Sequence, residues 1–193
     1  MQGNYKMEER ALPQKGAGAG AGAVRPNEAM GAPYWAQTAA ELAESAHFFA
    51  RTIGGDPRYI SHGEIQCGLS PDGKAWADDL DALLVEDMED IGPERSVLVA
   101  RDADGAMVAA SIVLWVETPR IRYAVIEDLS VDPAARSHGV GATMIAAIEA
   151  EAKRRDMGWF FLESGKDNER AHAFFERHGF QTVSHVFAKR LVL

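Results

Sequence analysis

Two short stretches hold side chains whose types and spacing suit chemistry. The first is Asp132-Pro133-Ala134-Ala135-Arg136-Ser137-His138-Gly139-Val140-Gly141-Ala142-Thr143, which leaves an apolar run and enters a helical one. Gly139 and Gly141 carry no side chain, so an anion can come close to the backbone. The first N–H groups of a helix lack internal partners and point at such an anion, and Arg136 adds a formal charge beside them. That combination suits a pyrophosphate, and it also suits a plain structural turn. No Gly-Lys-Ser/Thr follows, so it is not a P-loop, and it does not open a βαβ unit as a dinucleotide fingerprint does. The second stretch is Glu127-Asp128 inside Ile126–Val131. An acidic residue within an apolar strand needs a reason; the plain one is a solvated strand charge. Neighbours on an ideal strand point to opposite faces, and a bulge would change which of the two meets a cleft.

The elements that must position these residues follow from hydrophobic spacing and turn signals. Residues 34–53 carry Trp35, Leu42, Ala46, Phe49 and Ala50 at helical spacing, stopped by Gly54-Gly55. A short strand is expected at 64–69 and a helix at 75–91, ended by Gly92-Pro93. Strands are expected at 97–100, 106–116 and 121–131, with the hairpin turn Asp102-Ala103-Asp104-Gly105 after the first. A helix at 140–155, a strand at 159–163, a helix at 168–178 with Gly179 just past its end, and a last strand at 183–192 complete the chain. This order mixes a meander with later strand–helix crossovers. It predicts an α/β (α+β) layer fold, a mixed sheet with helices on both faces.

Composition sets the outer limits. The chain has 193 residues, 47% of them hydrophobic, which suits one domain with a real core. No run of 18 apolar residues occurs, so no membrane partner is expected. One cysteine, Cys67, excludes an internal disulfide and a multi-cysteine metal site; it reads as a small core residue, and no metal is expected. A net charge of −9 disfavours nucleic acid. It suits a cationic small partner, although acidity also serves solubility. Residues 1–33 differ: their Gly-Ala tract at 16–23 cannot bury enough side chain to offset ordering entropy, so they read as a flexible arm or linker before a domain at 34–193. With no targeting segment evident, the cytoplasm is expected.

Ile126-Glu127-Asp128-Leu129-Ser130-Val131-Asp132-Pro133 followed by Arg136-x-x-Gly139-x-Gly141-Ala142 resembles the acetyl-CoA motif of the GNAT superfamily of N-acetyltransferases. Asn168-x-x-Ala171-x-x-Phe174-Phe175-x-x-x-Gly179-Phe180 is similar to that family's second signature. The resemblance implies a GNAT-like acyl-CoA fold with a partly splayed central sheet over roughly 96–193, extending through 64–95, with 34–63 as an N-terminal helical extension. It implies acetyl-CoA as co-substrate, its pyrophosphate held by Arg136, Ser137, His138, Gly139, Val140, Gly141, Ala142 and Thr143. It implies a pantetheine arm against the backbone of Leu129, Ser130 and Val131, beside Asn168, Ala171, Phe174 and Phe175. Asn168 is also expected to cap its helix. The family commonly places a base carboxylate at the position of Glu127, with Asp128 as its alternative, and uses an N–H near Leu129 for the developing oxyanion.

The implied activity is acetyl transfer to a primary amine of a small acceptor, with the chain's acidity favouring a cationic one; a protein N-terminus or lysine is a further acceptor class. The alternative is a catalytically idle acyl-CoA-binding module. Late strands in the family imply a homodimer. One departure stands out: Phe175 replaces the family's tyrosine and has no proton for the leaving thiolate. His172 lies off the apolar stripe of its helix and is expected at the surface, His178 supports the helix end, and His138 is expected to face solvent. Glu163 and Ser164 end the strand that splays from 121–131. Trp35, Trp76 and Trp115 read as packing residues.

Overall fold

Val97-Leu98-Val99-Ala100 is apolar at every position because both faces of its strand are covered. In the computed structural model, which describes residues 30–89 and 91–191, it lies in β2 (Arg95–Arg101). Val97 and Val99 join one buried cluster while Leu98 and Ala100 join another, as the two-residue period of a strand requires. Strands β1 (Tyr34–Trp35), β2, β3 (Met107–Glu117), β4 (Arg122–Val131) and β5 (Trp159–Leu162) lie side by side in that order. Pairing is antiparallel through β4, and β5 runs parallel to β4. A parallel neighbour needs a crossover, which α4 (Val140–Arg154) supplies.

Helix α4 buries Val140, Met144, Ile145 and Ile148 against Val113, Trp115, Ala124 and Ile126. On the opposite face α1 (Ala39–Ile53) and α3 (Leu80–Glu89) bury Ala46, Phe48, Phe49, Leu84 and Met88 against Val97, Val99, Ala110 and Ile112. The mixed sheet with helices on both faces is therefore present. Trp35 and Trp115 pack edge to face, and Trp76 packs against the α1–α3 cluster.

Several boundaries differ from expectation. Tyr34–Trp35 pairs with β2 as a short strand, and the helix begins only after Thr38, whose side chain and Glu41 form a reciprocal cap. Residues 64–69 do not form a strand: His62–Gln66 is a short helix, α2, closed by the same Ser61–Glu64 cap. The helix expected from 75 starts at Leu80, because Asp72 accepts N–H bonds from Lys74 and Ala75 and holds a turn there. Cys67 is exposed rather than part of the core; it is the residue that ends α2.

The last strand, 183–192, is absent over its described residues. Val183, Val186, Phe187 and Leu191 are exposed there, Phe187 at 94%. Val183, Phe187 and Leu191 share one face of an extended chain, yet the segment pairs with none of the five strands, so that face stays uncovered. The arm at 1–33 lies outside the described residues up to 29. Met30 bridges to Asp102, and Gly31 N–H donates to Arg101 O at the outer edge of β2. No helix among the described residues is long and apolar enough to cross a membrane.

Candidate active site

Two acidic neighbours share one face because β4 carries an extra residue. Ile112 pairs with Asp128 and Val113 with Ile126, so Glu127 has no partner on β3. This is a β-bulge, and it shifts the alternation by one. Ala124 and Ile126 face α4 before it; Leu129 and Val131 face α4 after it. Glu127 and Asp128 consequently both turn toward α1 and α3. Ser111 Oγ donates to Asp128 O at 2.7 Å and fixes the bulge from the neighbouring strand.

The two carboxylates then meet different surroundings. Glu127 Oε2 accepts from Arg95 Nε at 2.8 Å, and the same guanidinium reaches both oxygens of Asp87 on α3 at 3.2 and 2.9 Å. Burial works against the Arg95 charge, but Asp87 and Glu127 outweigh it and raise its proton affinity. Glu127 is thus committed to an ion pair. Asp128 lines the cavity next to it. Burial first, then the negative charges of Glu64, Glu127 and Asp87, push its carboxyl up to about 8 against the pull of Arg95. A carboxyl so tuned is a base matched to neutral or mildly alkaline pH.

The β4–β5 pairing stops at Ile126 and Leu162. Beyond it the strands separate, and a cavity of about 430 Å³ opens between them. Glu127, Asp128, Leu129 and Val131 form one wall, Glu163, Ser164 and Gly165 another. At one end lies the glycine loop. Ser137 and Gly139 are both left-handed, at φ 69° and 82°. Such a conformation is uncommon for a serine, and it turns the loop into the start of α4. No side chain caps that helix, so its first N–H groups are left for a ligand. Arg136 closes the loop, donating to Val131 O at 2.9 Å and to Tyr59 Oη at 3.0 Å. Gly141 has a packing reason of its own: a Cβ there would stand 3.0 Å from the Phe174 ring.

Most residues singled out in the sequence meet at this cavity. Arg136, Ser137, Gly139, Val140, Gly141, Ala142, Asn168, Ala171, Phe174 and Phe175 all line it. Asn168 caps α5 (Glu169–Arg177), its Oδ1 accepting from Ala171 N–H at 3.3 Å. Three side chains lie elsewhere. Ser130 points to α1 and bonds Thr52 Oγ1 at 2.8 Å. Thr143 bonds back to Gly139 O at 3.2 Å, and His138 is exposed. His172 is not a surface residue as expected; it is half-buried, and its Nε2 lies 3.0 Å from Gly165 O. Phe175 packs edge to face on Phe174 and Phe180.

Sequence reasoning missed Arg95, Asp87, Tyr59 and Glu64. The Ser61-x-x-Glu64 spacing was a legible helix start; nothing local marked the other three. Among the described residues no group of three or more His, Cys, Asp or Glu is arranged to hold a metal ion.

The residues present fit acetyl-CoA. The uncapped start of α4 and the Arg136 guanidinium suit a pyrophosphate. The length of β4 that has parted from β5 offers main-chain groups to an amide-bearing arm.

Residues 64–180 match the model of the acetyltransferase (GNAT) family. No curated protein matches the chain. Solved structures share its fold at low identity. A tetramutant of the BH1408 protein of Bacillus halodurans has a TM-score of 0.66 at 21% identity, covering 82% of this chain and 99% of its own. The ribosomal-protein-alanine N-acetyltransferase of Brucella melitensis biovar Abortus 2308 has 0.59 at 16%, covering 85% and 100%. The aminoglycoside 6'-N-acetyltransferase AAC(6')-Ih of Acinetobacter baumannii has 0.57 at 17%, covering 85% and 99%. With the family matched over most of the chain and the cradle, splayed strands and carboxylates in one cavity, the chain belongs to the GNAT family of acetyl-CoA-dependent N-acetyltransferases.

Proposed function

We propose that the chain acetylates a primary amine on a small cationic acceptor, with Asp128 as general base in place of Glu127. The observation that carries this reading is the bulge at Glu127, which turns both carboxylates to one face and leaves Asp128 on the cavity while Arg95 holds Glu127. Bound acetyl-CoA supplies a thioester whose C–S bond breaks as the amine nitrogen attacks the carbonyl carbon. Asp128 takes the proton that the nitrogen must lose. The main chain at Leu129, on the parted length of β4, supports an oxyanion contact. Phe175 gives packing and no proton; a thiol of ordinary pKa, about 8.5, leaves as thiolate without one.

Charge supports the acceptor class. Glu64, Glu127, Asp128 and Glu163 line the cavity on the α2, β4 and β5 side, while Arg136, Arg170 and Arg177 line it at the cradle and on α5; Glu64 and Glu163 bond no arginine among the described residues and carry the negative charge of the acceptor side. An ammonium group on the acceptor, separate from the reacting amine, would relieve that negative charge. The test is a panel of spermidine, an aminoglycoside, free amino acids and a peptide N-terminus, read by CoA thiol release and product mass. Spermidine or the aminoglycoside should be favoured at least about tenfold in kcat/KM over neutral amines. Preference for the peptide would move the acceptor to proteins.

A second copy of the chain is the partner we assign to the exposed C-terminal segment. It carries Val183, Val186, Phe187 and Leu191, and β5 leaves a sheet edge without a neighbour among the described residues. Light scattering should give twice the chain mass, and deletion of 182–193 should give a monomer. A monomeric full chain would contradict this.

A further inference from the structure

Residues 56–66 cross the mouth of the cavity as a strap. They comprise a 3₁₀ turn, Pro57–Tyr59, and the five-residue helix α2. Pieces this short do not hold their own shape in water, so their place must be set by what they touch. On the cradle side the contact is Tyr59 Oη, accepting from Arg136 at 3.0 Å. On the β5 side one carboxylate collects three partners. Glu163 Oε1 accepts from Ser61 Oγ and from Gly63 N–H, the latter at 2.9 Å, and Glu163 Oε2 lies 2.6 Å from His62 Nδ1.

The fit beneath is close. A Cβ on Gly165 would collide with Arg58 O and stand 2.8 Å from Ile60 O. The strap's backbone therefore rests directly on the turn that follows Glu163. His172 Nε2 lies 3.0 Å from Gly165 O and steadies that turn from α5. Three strap residues, Tyr59, Ser61 and Glu64, form part of the cavity wall. Glu64 is itself held by the Ser61 N–H at 2.6 Å, so its place depends on the same seating.

We propose that Glu163 is a positioning residue for the acceptor: its carboxylate latches the 56–66 strap across the gap between β4 and β5 and so builds the acceptor-side wall. This rests on the reading of the cavity as an N-acetyltransferase site. The cofactor cradle does not need the latch, because Arg136 is also fixed by Val131 O and the start of α4 is held by its own packing. Acceptor binding and cofactor binding should therefore part company when the latch is cut.

The experiment uses the full chain and the variants Glu163→Ala and Glu163→Gln. Hydrogen exchange of the 60–66 amides should quicken about tenfold or more in Glu163→Ala, with α4 and β3 amides unchanged. The KM for spermidine should rise about tenfold while CoA affinity, by calorimetry, stays within about twofold. Glu163→Gln should fall between, since its amide oxygen still accepts from Ser61 and Gly63 but bears no charge for His62. Unchanged exchange in a folded Glu163→Ala protein overturns the latch. So does an equal loss of CoA affinity and spermidine KM, which would mark Glu163 as general scaffold. If the parent protein acetylates no amine, exchange alone still decides the latch, while that silence counts against the acetyl-transfer reading.

Discussion

Asp128→Asn should lower kcat/KM for the amine by about 10² or more and leave CoA affinity within about twofold. The asparagine keeps the shape and loses only the proton acceptor. Glu127→Gln should cost less, because its oxygen faces Arg95 rather than an amine. The same Asp128 change should stabilise the fold at alkaline pH. Asp128 has its carboxyl raised to about 8 in the folded protein, above the usual value of about 3.9. The folded state then holds a proton that the unfolded chain has released. That contribution is fully present below about pH 4 and is lost as pH rises through 8. Asparagine has no charge to bury, so at pH 9 the variant should melt at a higher temperature than the parent while being nearly inactive. A fall in melting temperature at pH 9 would show that the Asp128 carboxylate is satisfied there.

Ala142→Asp should abolish cofactor binding without harming the fold. Ala142 is the third residue of α4 and lines the cavity at the cradle. A carboxylate in the first turn of a helix is favourable by about 0.3–1 kcal/mol, so the melting temperature should hold or rise. Toward a pyrophosphate the same carboxylate is a like charge at short range, and such juxtaposition costs several kcal/mol. CoA affinity should fall at least about 100-fold, and Ala142→Asn should fall much less. A Gly141 substitution is the poorer probe, because its side chain would meet the Phe174 ring before any ligand. Full CoA affinity in a folded Ala142→Asp protein would move the pyrophosphate elsewhere.

The site was legible wherever local pattern decides structure. The Arg136–Ala142 loop and the Asn168–Phe180 segment carry their identity in spacing, and both reached the cavity. Asn168 was legible as a cap and is one. What failed was non-local. A bulge depends on how β3 and β4 register, and no residue near Glu127 announces it. The commitment of Glu127 to Arg95 requires knowing that β2 and α3 pass beside it. Residues 64–69 looked extended because Ile65, Cys67 and Leu69 alternate, but the Ser61–Glu64 cap prevailed over that weak period. The tail at 183–191 has strand-forming residues but pairs with none of the described strands, and propensity alone does not make a strand.

The pH profile of kcat/KM for one amine, compared among the parent, Asp128→Asn and Glu127→Gln, tests the account most directly. In the parent it should rise with pH through a limb near 8, the value at which burial and three neighbouring carboxylates hold Asp128. Glu127→Gln removes one of those charges, so its limb should move to lower pH with the rate largely kept. Asp128→Asn should lack the limb and be slow throughout. A parent limb that survives in Asp128→Asn and vanishes in Glu127→Gln would contradict the account and return the base to Glu127.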